Sequence, residues 1–238
     1  MKRAMALAAL ALLAVPGQSQ EVYHHIGNEQ LYLFLDELAN LHVIELNTGI
    51  KPYSRQLIAE KLQEASEKSS ELTVRQQKEV AFYLKDFNKE LKPDKNFDKR
   101  LDVFYYKDSL FTLSVNPILG MHYFSNDNDL VYHRFNGGEA FGYLGKNIGF
   151  YASLRDNHEN ERLSEFFYRN NRRGAVYKNS NDYSEMRGGI SYAWKWGSVA
   201  VVKDNFSWGN NYNGANIFSG RTPSFAQIKL RVKPVKWI

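Results

Sequence analysis

SEMRGGISYAWKW (residues 184–196), GSVAVVKDNFSW (197–208), GNNYNGANIFSGRTPS (209–224) and FAQIKLRVKP (225–234) follow one another late in the chain. In the first segment Met186, Gly188, Ile190, Tyr192 and Trp194 occupy alternate positions, with Arg187, Gly189, Ser191, Ala193 and Lys195 between them. In the last, Ala226, Ile228, Leu230 and Val232 alternate with Gln227, Lys229, Arg231 and Lys233. Side chains of a strand alternate with period two, so each segment has one oily and one wet face. A soluble sheet carries this pattern, and so does a membrane-spanning barrel strand, apolar towards lipid and polar towards its lumen.

The residues after 100 weigh towards a barrel. Phe111, Leu113, Val115, Leu119, Met121 and Tyr123 share one face of a strand; Thr112, Ser114, Asn116, Gly120 and His122 share the other. Pro117 in mid-run cannot donate to a ladder, so a bulge or strand end is expected there. Residues 130–145 form another strand, with a bulge expected at Gly137–Gly138. Ile148, Phe150, Ala152 and Leu154 then alternate with Gly149, Tyr151, Ser153 and Arg155. Residues 156–182 read as a long polar loop, unusual in a compact soluble domain. Turns at 108–109, 146–147 and 196–197 are short, whereas connections around 127, 156–182 and 209–224 are longer. Outer-membrane barrels pair short turns at one end with long loops at the other. Trp194, Trp196 and Trp208 fall near strand ends, where aromatic girdles sit.

Composition excludes other classes. The 238 residues are 43% hydrophobic, yet no apolar run is long enough for a membrane helix. Aromatic content of 14% suits a β-rich chain. The net charge of +5 is spread out, and neither a basic stripe nor a nucleic-acid module is present. Residues 1–19 read as a signal peptide: Lys2 and Arg3, a short apolar stretch over 4–15, then small Gly17 and Ser19 before the cut. With no cysteine, a disulfide scaffold, a thiolate metal site and an acylated lipoprotein cysteine are all excluded. Such an exported chain suits the periplasm or outer membrane of a Gram-negative cell.

The stretch before 100 is helical. Leu31, Phe34, Leu35, Leu38 and Leu41 have helical spacing. Ser54 is placed to cap a second helix lined by Leu57, Ile58, Leu62 and Ala65. Thr73 and Gln76 fit a capping box before Val80, Tyr83, Leu84, Phe87 and Leu91. Single-faced helices normally bury that face, so a small bundle is expected, closed by the charged boundary 92–99.

The segments 31–62, 76–91, 136–159, 182–230 and 233–237 together resemble the capsule assembly Wzi family of outer-membrane proteins, in the form common in Bacteroidota. The resemblance covers nearly all of the mature chain. It implies a helical bundle at the periplasmic side, a large barrel of many strands, and a lectin-like role in attaching or assembling surface polysaccharide. The expected fold is therefore α+β. Residues 1–19 are the signal peptide and 20–99 a periplasmic helical bundle. Residues 100–238 hold about seven strands of an antiparallel outer-membrane β-barrel, fewer than the usual minimum, so the chain is expected to be the N-terminal part of a longer protein. A porin-like channel, an outer-membrane enzyme with its catalytic part elsewhere, and a soluble periplasmic binding module are the competing functions.

Site candidates follow from the wet faces. Arg155, Arg187, Lys195, Lys229 and Arg231 would line a lumen and bind carboxylates of an acidic polysaccharide, unless Asp or Glu from other strands already neutralise them. Trp208, Tyr212 and Phe218 could stack on sugar rings while Asn210, Asn211 and Asn213 bond hydroxyls, although Asn and Gly also favour turns for backbone reasons. Expected partners are acidic or neutral surface polysaccharide and outer-membrane lipid, with no nucleic acid and no cofactor. Neighbouring His24 and His25 do not converge on one metal, and Asp156, His158, Glu159 and Glu161 lack regular ligand spacing. Ser114 and His122 lie ~26 Å apart along one strand, too far for a hydrolase pair. No other catalytic motif is present.

Overall fold

The computed structural model describes residues 21–91, 100–125, 130–160, 181–209, 214–215, 217–220 and 222–232. The elements in chain order are α1 (Glu29–Asn40), β1 (Ile50–Lys51), α2 (Arg55–Glu67), α3 (Val74–Leu91), β2 (Phe104–Lys107), β3 (Phe111–Ser125), β4 (Leu130–Leu144), β5 (Ile148–Glu159), β6 (Asp182–Trp194), β7 (Gly197–Asp204), β8 (Ser207–Trp208) and β9 (Phe225–Val232). A single 3₁₀ turn, Ser69–Glu71, links α2 to α3. Among the described residues the fold is mixed α+β: three helices and a curled antiparallel sheet. The expected signal peptide at 1–19 and the charged boundary at 92–99 lie outside the described residues.

Local signals set the helices. Ser54 Oγ accepts from Leu57 N at 3.3 Å and starts α2. Gln76 N donates to Thr73 Oγ1 at 3.3 Å while Thr73 N donates to Gln76 Oε1 at 2.9 Å, the reciprocal capping box that starts α3. Leu35, Leu38, Ile58, Leu62, Val80 and Phe87 bury in one hydrophobic cluster that all three helices share. The opposite side of α3 is polar and carries Asp86, Lys89 and Glu90.

The seven-stranded sheet has the order β2-β3-β4-β5-β6-β7-β9, every neighbouring pair antiparallel. It is a meander that steps out once, when β8 pairs with β1 near the helices. Short turns join β2–β3, β4–β5 and β6–β7 at one end. Asp108 Oδ1 accepts from Leu110 N and Phe111 N, both at 2.7 Å, in the first. Gly145 supplies a left-handed φ of 63° in the second.

Strand parity agrees with the sequence pattern. Leu119, Met121, Leu154, Met186, Ile190, Val201, Ile228 and Leu230 all stand exposed on the outer face. Ser114, His133, Asn157, Arg187, Ser191 and Asp204 are buried on the inner face, under the helices and the first described residues. The inner face is mixed, since Phe141, Tyr143, Tyr151, Ala200 and Val202 also bury there against Val22, but its exposed reverse is apolar where a helix-covered antiparallel sheet ordinarily turns a polar face to water.

Three expectations are corrected. The ladder between β3 and β4 runs through Asn116↔Glu139, Pro117↔Gly138 and Ile118↔Gly137 with no bulge at either the proline or the glycines. On its other side β3 is paired only over Thr112 to Val115, so Pro117 lies past the end of β2, where no ladder bond is asked of its nitrogen. The loop expected at 156–182 begins later, because β5 and β6 continue to pair through Asp156↔Ser184, Asn157↔Tyr183 and His158↔Asp182. Residues 161–180 lie outside the described residues.

Leu35 is fully buried and Leu33 is 60% exposed on the same helix. Leu35→Ala is expected to cost ~2–5 kcal/mol and Leu33→Ala under ~0.5 kcal/mol, read as loss of the helical circular-dichroism signal on heating.

Candidate functional site

The inner face of the sheet and the segment laid against it form the candidate site. Residues 21–24 run across β5, β6, β7 and β9 near the short-turn end. Gly149 makes room: a Cβ there would sit 2.7 Å from the Glu21 carbonyl. Ser191 Oγ donates to that same carbonyl. The Glu21 carboxylate accepts from Ser198 Oγ at 2.7 Å, Tyr23 Oη at 2.8 Å and Arg231 Nη1 at 2.9 Å.

A second knot lies beside it. Arg187 donates from Nε to Asp204 Oδ1 at 2.7 Å and from Nη2 to Oδ2 at 2.9 Å, a fork-to-fork pair. Tyr151 Oη at 2.6 Å and Asn205 N at 2.8 Å complete the shell of Asp204, which is wholly buried. Lys229 lies 4.1 Å from the centre of the Tyr23 ring, within cation–π range.

Helices α2 and α3 meet the sheet through a third knot. Arg55 Nε reaches Glu90 Oε1 at 2.5 Å, and Tyr143 Oη donates to the same oxygen at 3.1 Å. The Arg55 guanidinium lies between the rings of Phe87 and Phe141, at 4.5 and 4.2 Å. Burial works against the charge on Arg55, but Glu90 and Asp86 outweigh it and raise its pKa. Burial alone would raise Asp86, yet Arg55 and neighbouring cations hold its pKa down at about 2. Lys89 Nζ pairs with Asp102 Oδ1 at 2.6 Å, and Asn116 Nδ2 donates to Asp102 Oδ1 at 2.9 Å.

Beyond these knots, towards the long-connection end, helices and sheet separate into a cleft of about 410 Å³. His24, Asp86 and Arg100 line one side, and His122, Arg155 and Glu185 the other. Burial, reinforced by Arg55, lowers His24 to about 3, so its ring is neutral near pH 7. Further along β4, His133 stacks on Tyr183, and its Nε2 donates to Asn157 Oδ1 at 2.9 Å in the tautomer protonated there.

The sequence-derived site residues separate into groups. Arg155, Arg187, Lys229 and Arg231 lie on the inner face of the sheet. Arg187 and Arg231 are already neutralised by Asp204 and Glu21. Lys195 is corrected: β6 ends at Trp194, and Lys195 is exposed in the tight turn to β7, so the alternation does not carry it inside. Trp208 pairs with Ile50 in the small β1–β8 sheet and is half exposed. Phe218 packs edge-on against Phe206. Asn210, Asn211, Tyr212 and Asn213 lie outside the described residues. Asp156 and His158 point outward while Glu159 is buried inside, so these three do not converge, and Glu161 lies outside the described residues. Among the described residues no group of three or more His, Cys, Asp or Glu is placed to hold a metal. Glu21, Asp204, Arg55 and Arg100 escaped sequence reasoning. Their partners are distant in the chain, and only the parity of Asp204 within 197–204 hinted at its inward aim.

Comparison with family models, with curated proteins and with solved structures gave no match for this chain.

Arg187→Ala would strand the buried Asp204 carboxylate and is expected to cost ~3–5 kcal/mol. Replacing both residues with apolar ones should recover most of that loss. Denaturant midpoints of the four proteins of this cycle, refolded in detergent, measure it.

Proposed function

We propose that this chain is a non-enzymatic outer-membrane protein whose strands belong to a β-barrel wall and which binds or helps assemble capsular or other surface polysaccharide. The observation that carries the membrane half is the sheet's outer face, where large apolar side chains stand exposed while the charged groups of the strands are buried inside. No described helix is long and apolar enough to cross a bilayer, which leaves the strands as the spanning elements in this reading. On β6 the outer face is apolar or glycine from Met186 to Trp194, ~27 Å along the strand and ~20 Å in height at a tilt of ~40°, against ~25 Å for a barrel's apolar band. The boundary is then polar: Ser184, Asp182, Asp156, His158, Asn136 and Arg134 take over on the outer face of β4–β6. At the other end Tyr192, Trp194 and Trp196 form an aromatic chain with ring centres 6.3 and 5.2 Å apart. That end has the short turns, the periplasmic side of a barrel.

The polysaccharide half rests on the resemblance to the capsule assembly Wzi family and on the chemistry of the inner face. That face mixes Arg, His, Asn and Glu with Tyr and Phe, groups that bond hydroxyls and stack on sugar rings. Helices and residues 21–24 cover the inner face near the short turns, which favours a plugged binding protein over a porin-like channel. The helical unit is then seated within the wall at the periplasmic end.

Two measurements test the proposal. Ile190→Arg should cost ~2–4 kcal/mol in the apolar band and reduce the heat-modifiable form in outer-membrane fractions, whereas Asn136→Arg should cost ~0–1 kcal/mol. Quantitative extraction of the protein without detergent would end the membrane reading. Deleting the gene should shift polysaccharide from the cell to the medium. Unchanged retention with altered small-solute uptake would favour the channel instead.

A further inference from the structure

We infer that the cleft between the helices and the inner face takes a carboxylate-bearing sugar, a uronate unit, held between Arg155 and Arg100 on opposite walls. The inference rests on the polysaccharide reading and narrows it to a ligand class and a place.

The two arginines, Arg155 half-buried and Arg100 exposed at the rim, differ from the arginines of the knots. Arg55, Arg187 and Arg231 each have a carboxylate oxygen within 2.9 Å. Arg155 does not. Its nearest carboxylate, Glu185, is 3.7 Å away, beyond hydrogen-bond reach, and its buried Nε has no hydrogen-bond partner. Its guanidinium instead lies 3.7 Å over the Phe135 ring, which leaves the edge of the fork open. Arg100 mirrors it. Its guanidinium lies 4.1 Å over the Phe82 ring of α3, and its backbone N donates to Lys85 O at 3.0 Å. It makes no ion pair among the described residues.

Both residues line the same cleft, whose volume of about 410 Å³ falls in the usual range of ~300–1,000 Å³ for ligand sites. A guanidinium resting over an aromatic ring is partly pre-positioned, so less freedom is lost when it grips a carboxylate in two-point fashion. The acids on the walls do not cancel this. Asp86 is engaged by Arg55 at 3.5 Å and Lys89 at 3.8 Å, and Glu185 accepts from Asn157 Nδ2 at 3.5 Å as well as facing Arg155. Glu29 stands at the exposed mouth. His122, exposed beside Arg155, and the neutral His24 ring offer partners for sugar hydroxyls.

The test uses the full chain in detergent at low salt, with tetragalacturonate, maltotetraose and free galacturonate as probes in titration calorimetry. Tetragalacturonate should bind ~10-fold or more tightly than maltotetraose. Arg155→Gln and Arg100→Gln should each lose ~10-fold for the acidic probe and little for the neutral one. Lys195→Gln, in the distant turn, should bind as the parent does. Heat-modifiable migration checks that each variant is folded, and Arg155→Lys keeps the charge while losing the fork if Arg155→Gln is not. Free galacturonate binding as tightly as the tetramer would mark the ligand as a sugar acid, not a polymer unit, and overturn the polymer form of the inference. Equal affinity for acidic and neutral tetramers, or full affinity in both glutamine variants, would overturn the cleft assignment and leave the lectin reading standing. Failure to bind any of the three would overturn the lectin reading and the assignment together.

Discussion

Asp204 places a carboxyl group where no solvent reaches it, and the inner face is arranged around that fact. An isolated carboxylate in such a place would be far too costly. Arg187 answers it with two hydrogen bonds, Tyr151 with a third and the Asn205 backbone with a fourth. The same demand recurs at Glu21 and Glu90, each buried and each met by an arginine and a tyrosine. A sheet whose inner face is this polar cannot be covered by an oily helix. It requires a cover that brings charges of its own, and α3 brings Asp86, Lys89 and Glu90.

Two consequences follow from that constraint. The helical unit keeps its oily side for itself, in the cluster around Leu35 and Phe87, and offers the sheet its polar side. Phe141, Tyr151 and Val202 find cover inside beside Val22, but the outer face carries large apolar side chains that nothing in the chain's described residues covers. Lipid does so in the reading proposed above. Where the polar cover stops short of the long-connection end, a cleft remains. The arginines that border it, Arg155 from the sheet and Arg100 from the helical side, have no carboxylate within hydrogen-bond reach among the described residues.

How much of this was legible in the sequence depends on range. Alternation is a property of neighbours, so the parity of β3, β5, β6 and β9 could be read directly, as could the caps at Ser54 and Thr73. Signals that depend on a strand's flanks misled. Pro117 looked like a break because nothing local shows that β2 has already ended. Residues 156–159 looked like a loop because the outer face of the strand turns polar there, which erases the hydrophobic alternation while the ladder continues. Lys195 was carried inside by extending a period one residue past the strand end. The ion pairs were out of reach, since Glu21 meets Arg231 across most of the chain and no local pattern links them.

The chain has no cysteine, so single spin labels can be placed along β6 one residue at a time, from 184 to 192, in protein reconstituted in lipid. Oxygen, which concentrates in hydrocarbon, and a water-soluble nickel chelate report what each label faces. Labels at 186, 188, 190 and 192 should show high oxygen and low nickel access, with both falling at 187, 189 and 191. High nickel access at 186 and 190, or no alternation at all, would contradict a sheet turned oily side out to lipid.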